Sequence, residues 1–141
     1  MADALDRSGV RPTFNGKASQ MRVKCIELGA NASDEDRTDG WLTRDQEYAV
    51  IGVLGRGPAI SFRVCGSENV TPAFHHARQF KLVSGSIPSN WVFQMLSSEV
   101  WEIGPAPLSK GGFWDAYFDG DEDAQKIFQE VYASLAADAC P

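Results

Sequence analysis

EYAVIGVLGRGPAISFRV, the stretch from Glu47 to Val64, decides the fold. After Glu47, an extended chain puts Tyr48, Val50 and Leu54 on one side and Ala49, Ile51 and Val53 on the other. A strand apolar on both sides is covered on both sides, so Glu47 to Leu54 reads as a central strand. Gly55-Arg56-Gly57-Pro58 interrupts it, and Ile60, Phe62 and Val64 then alternate with Ser61 and Arg63, as in a half-exposed strand. Together they predict a hairpin. Gly52, Gly55 and Gly57 read as turn residues: no Lys-Ser/Thr pair follows them, and they precede a strand instead of the helix a phosphate loop requires.

Working outward, Arg22 to Leu28 alternates imperfectly and reads as a first strand. Gly29 to Gly40 has no large apolar residue and reads as an exposed loop. Residues 1–20 are polar, contain Gly9, Pro12 and Gly16, and read as a tail before a single domain over 21–141. Beyond the hairpin, a strand ends in Phe80, Leu82 and Val83. Trp91 to Leu96 and Glu99 to Ile103 then form a second hairpin about Ser97-Ser98, with a short helix as the alternative for its first arm. Short connections make the sheet mostly antiparallel. From Asp121 to Ala137 the residues Ala124, Ile127, Phe128, Val131 and Leu135 recur at helical spacing, with Asp119 or Asp121 as the cap. The fold class expected is α+β: a small, mostly antiparallel sheet or partly open SH3-like barrel of four to six strands, with an amphipathic C-terminal helix packed on it.

Several chemistries find no support in these residues. Asp119, Asp121 and Asp123 with Glu130 have the spacing of a calcium loop. Ala124, however, stands where its glycine belongs, and Ile127 and Phe128 belong to the helical stripe. His75 and His76 are adjacent and point apart on a strand, so they do not share a metal. Cys25, Cys65 and Cys140 lack zinc spacing and read as reduced thiols, the first two as small core hydrophobes. Cys65 with a histidine base lacks an orienting group or an oxyanion donor. The expectation is therefore a protein that is not an enzyme and takes no cofactor and no metal. No apolar run reaches the length of a membrane span and no signal sequence opens the chain, so a cytoplasmic location is expected, without a membrane partner.

Charge points to a protein partner. The chain carries −6 overall, yet Arg7, Arg11 and Lys17 outnumber Asp3 and Asp6 in the tail. From Phe113 onward Asp115, Asp119, Asp121, Glu122, Asp123, Glu130 and Asp138 face Lys126 alone. Such a surface repels nucleic acid and attracts cationic surfaces. Trp114 and Tyr117 stand among these acids, and aromatic anchors beside acids suit a hot spot on a basic cleft. The expected partner-binding residues are Asp34, Glu35, Asp36 and Asp39 in the first loop, and Trp114, Asp115, Tyr117, Asp119, Asp121 and Asp123 before the helix.

Leu42-Thr43, Glu47 to Val50, Ile60 to Val64 and Phe80 to Val83 resemble the pattern of a small SH3-like barrel found in bacterial proteins. Ile87-Pro88-Ser89-Asn90-Trp91, Gly104-Pro105 and Gly112 to Asp121 resemble a C-terminal module of small bacterial immunity proteins. Over residues 42–135 the chain is thus similar to immunity proteins of contact-dependent growth inhibition and related polymorphic toxin systems. That resemblance implies an inhibitor that binds, as a monomer in a 1:1 complex, the C-terminal domain of a cognate toxin, commonly a nuclease with a basic groove. The competing reading is an SH3-like module that takes a peptide or protein in an aromatic groove around Trp41, Tyr48 or Trp91.

Overall fold

The computed structural model describes residues 20–139 apart from Glu68. The tail, residues 1–19, and Cys140 lie outside them. Gln20, assigned to the tail from its polarity, is 1% exposed, and its side-chain amide donates to the Met21 and Val50 carbonyls.

The architecture is α+β, with two antiparallel sheets that form a small open barrel. β1 (Arg22–Cys25) lies between β2 (Glu47–Ala49) and β6 (Phe80–Ser84) in the first sheet. The second sheet has the order β5 (Pro72–His76), β4 (Ala59–Cys65), β3 (Gly52–Arg56), β8 (Val100–Pro105), β7 (Trp91–Met95). Two helices follow, α1 (Phe113–Phe118) and α2 (Glu122–Ala139). Both expected hairpins are present, β3–β4 and β7–β8. The described strands number eight rather than four to six, for two reasons.

First, the Glu47–Leu54 run is not one strand. The Val50 N–H donates to the Met21 carbonyl, whereas the Ile51 N–H donates to the Arg63 carbonyl. The chain therefore leaves one sheet and enters the other between these two residues, and the apolar run is the barrel corner. Second, Pro72–His76 forms a full strand against β4, although Pro72 and the two histidines give it little strand character.

The glycines are corrected as well. Gly52 and Gly55 lie within β3, and of the three only Gly57 (φ 56°) sits in the hairpin turn. Gly55 is paired with Trp101, and a Cβ there would fall 2.0 Å from the indole, so its bare backbone is the seat of that ring.

The five-stranded sheet has a core on each face. On one face Val53, Trp91 and the half-buried Phe62, Trp101 and Ile103 pack with Val23, Cys25, Tyr48 and Phe80 of the smaller sheet. On the other, Ile51 and Cys65 pack with Leu108, Phe113, Ala124, Phe128 and Leu135 of the helical layer. Ile127, expected in the apolar stripe of α2, is 38% exposed. The stripe centres on Ala124, Phe128, Val131 and Leu135, and Ile127 lies at its margin. Cys25 and Cys65 are free thiols, buried as small hydrophobes. Among the described residues no helix is long and apolar enough to cross a membrane.

Candidate functional site

The corner between α1 and α2 is set by three residues, Asp119-Gly120-Asp121. α1 ends at Asp119, and Gly120 takes the left-handed conformation (φ 89°) that a helix stop favours. The Gly120 N–H donates to the Tyr117 carbonyl and the Asp121 N–H to the Ala116 carbonyl, the two bonds of a Schellman stop. The Asp121 carboxylate then accepts the Ala124 N–H at 2.9 Å and caps α2. Asp121 thus serves the fold at both helices, while Asp115, Asp119, Glu122 and Asp123 are exposed around it.

Helical spacing in α1 assembles the aromatics. Trp114 and Phe118, four residues apart, stack with ring centres 5.8 Å apart, and Tyr117 meets Phe118 edge-on at 5.1 Å. Phe128 of α2 supports both Trp114 and Tyr117 from below, at 5.9 and 5.0 Å. Trp114 and Tyr117 are half-buried, whereas Phe118 is 54% exposed. The outcome is an aromatic platform with Phe118 as its open surface and carboxylates as its rim.

Under this platform lies Arg63, only 8% exposed. Its guanidinium is held between two rings, 4.1 Å from the centre of Phe74 and 3.7 Å from that of Trp114. Burial lowers its pKa to about 10 even though Glu102, 3.9 Å away, favours the charged form. Burial likewise pushes the Glu102 carboxyl up, against the pull of Arg63. One face of Trp114 is therefore committed to the sheet, and the platform is fastened to β4 through a buried cation.

The first acidic segment belongs to a different part of the molecule. Leu28, Ala32, Trp41 and Leu42 attach its loop to the core between the two sheets, not to the helical layer. Asp34, Glu35 and Asp36 are exposed, and the Asp36 carboxylate accepts the Ser33 N–H. Asp39 is turned inward: it accepts the N–H groups of Gly29 (2.7 Å), Trp41 (2.9 Å) and Leu42 (2.8 Å). Burial opposes ionisation of Asp39, but these donors outweigh it and hold its pKa below the ordinary value. Asp39 is thus a lock of the loop, and the two acidic segments do not make one surface.

Other groups that could carry chemistry lie elsewhere in the fold. Burial raises the Cys65 thiol to about 11, and the alternation along β4 and β5 puts Cys65 and His75 on opposite faces. Burial lowers the His75 pKa, with Asp39 pulling the other way. A cleft of about 340 Å³ is lined by Asp39, Trp41, Phe74 and His75 among others. Tyr48 and Trp91 are 6% and 8% exposed, so of the three residues suggested for an aromatic peptide groove only Trp41 reaches a surface. No group of three or more His, Cys, Asp or Glu side chains among the described residues is placed to hold a metal ion.

Two residues of this site escape a sequence reading. Arg63 looks like the polar half of an alternating strand. Phe118 becomes visible only once α1 is known to be a helix, which puts it four residues from Trp114 on the same side. The chain matches no protein-family model, and neither a curated protein nor a solved structure matches it.

Proposed function

We propose that this domain is a protein inhibitor that uses the α1–α2 corner to cover a cationic surface of its partner. The observation that carries this reading is the exposed Phe118 at the centre of a carboxylate rim. An apolar ring that excludes water, surrounded by acids that steer a basic surface, is the arrangement expected of a binding hot spot. The partner that fits is a folded protein with a basic cleft, and a nuclease active site has that character. Together with the resemblance to bacterial immunity proteins, this supports reading the domain as an immunity protein whose partner is a toxin domain encoded directly upstream. The test is co-expression. A cell producing the C-terminal domain of the neighbouring toxin survives when it also produces this chain, and dies when the chain carries Phe118→Asp. The absence of a toxin gene directly upstream, or survival with Phe118→Asp at equal expression, argues against the reading.

A further inference from the structure

Among the described residues four strands lie at the edges of the two sheets: β2 and β6 in the smaller, β5 and β7 in the larger. An edge strand offers its free N–H and C=O groups to any other strand, and folded proteins blunt such edges with proline, charge or brevity. Three of the edges are blunted in this way. β2 has only three residues and begins with Glu47, β6 carries Lys81, and β5 opens with Pro72. β7, Trp-Val-Phe-Gln-Met, has none of these devices, and no charged residue occurs between Leu82 and Ser98. Around it Val92, Phe93, Met95 and Leu96 are 38, 58, 58 and 54% exposed.

The register of β7 against β8 shows which of its groups are free among the described residues. The Leu96 N–H donates to the Val100 carbonyl, so by antiparallel alternation Gln94 and Val92 also bond inward, while Phe93 and Met95 turn their backbone groups outward. The Trp91 N–H is taken by the Pro88 carbonyl. We propose that β7 pairs antiparallel with β7 of a second copy of this chain, about a two-fold axis at Gln94. In that register Phe93 exchanges both backbone bonds with the partner's Met95, and Met95 does so with the partner's Phe93. All four free groups are then satisfied, Gln94 faces its own copy, and Val92 faces the partner's Leu96.

Charge selects this occupant. A self-paired strand sets any charge close to its own copy, a destabilising arrangement, and β7 is neutral throughout. A strand of a cationic partner, by contrast, would find no acid on β7 itself: the exposed Glu99 lies beyond its turn, and Asp115 lies across a cleft from Gln94 and Leu96. The pairing joins two five-stranded sheets into one and leaves each α1–α2 corner in place. It goes beyond the proposed function, since it stands or falls on solution mass rather than on toxin binding.

The test uses the full chain. Sedimentation equilibrium is expected to give twice 15.4 kDa at high concentration, falling towards 15.4 kDa on dilution. The Phe93→Lys/Met95→Lys chain is expected to remain at the lower mass with unchanged circular dichroism. If that pair disturbs the fold, Met95→Lys alone takes its place. In a Cys140→Ser background, Gln94→Cys closes an intermolecular disulfide under mild oxidation and Val92→Cys does not. A wild-type mass of 15.4 kDa at every concentration overturns the proposal, as does a dimer that survives the lysines, or a Val92→Cys crosslink that forms in place of the Gln94→Cys one. A full chain that is monomeric while one lacking residues 1–19 dimerises assigns the edge to the N-terminal segment, and overturns it as well.

Discussion

The guanidinium of Arg63 lies 3.7 Å from the centre of the Trp114 ring, and this contact ties β4 of the barrel to the short helix that presents Phe118. A buried cation is costly unless something replaces its water, and here Phe74, Trp114 and Glu102 share that task. The α1–α2 corner is therefore positioned by the sheet as well as by α2.

It follows that removal of the cation damages the fold before it damages binding. Arg63→Ala leaves Glu102 desolvated without a partner and opens a space under Trp114, so a loss of about 3 to 5 kcal/mol is expected in urea unfolding. Arg63→Met with Glu102→Gln keeps the volume and removes both charges, and should stay within about 1 kcal/mol of wild type. If the double variant is as unstable as Arg63→Ala, the role of the pair is not the one described.

Asp39 provides an acid-side test. Its folded pKa is depressed, so it contributes stability above the unfolded value of 3.8 that is lost as pH falls through the folded value. Asp39→Asn keeps an oxygen for Trp41 and Leu42 but forfeits the Gly29 bond. At neutral pH a cost of about 1 to 3 kcal/mol is expected. The gap to wild type should narrow below pH 3.8. A gap of the same size at acid pH shows that ionisation of Asp39 is immaterial.

Cys65 provides the alkaline counterpart. Its pKa is raised from 9.0 to about 11 by burial, so the thiol stays protonated in the fold after the unfolded chain has ionised. Stability is whole below pH 9.0 and falls as pH rises towards 11, by about 1.4 kcal/mol per pH unit from this group. Cys65→Ala is less stable at neutral pH, from the cavity it leaves, yet its stability should decline less steeply across that range. Parallel declines in guanidinium unfolding contradict the burial of this thiol.

The parts of the fold legible in the sequence were those with a period. Ile60-Ser61-Phe62-Arg63-Val64 announces a strand, and Ala124, Phe128, Val131 and Leu135 announce a helix, because each pattern repeats often enough to be read. The corner at Val50-Ile51 was not legible, since residues apolar on both sides look the same whether they enter one sheet or pass between two. Nor was α1, whose six residues span less than two turns. The site suffered accordingly. Trp114 and Tyr117 were placed with the right acids, but Phe118, the most open ring, depends on knowing that α1 is helical. Asp39 counted as a free charge in the sequence, and only the loop reveals the N–H groups it holds, whereas Asp121 was legible as one of two possible caps and the Ala124 N–H it accepts selects it over Asp119.

The central claim, that Phe118 and its carboxylate rim bind a cationic protein, is tested most directly by the kinetics of association with the neighbouring toxin domain across a range of salt. Asp115→Lys/Asp119→Lys/Asp123→Lys spares the capping Asp121 and should slow association by about 10-fold or more at low salt while flattening its salt dependence. Phe118→Ala, at a largely exposed position, should leave the melting temperature near wild type yet raise the Kd by about 30-fold, the 2 kcal/mol expected of a hot spot, chiefly through faster dissociation. Wild-type rates and salt dependence in both folded variants would contradict the account and move the interface away from the α1–α2 corner.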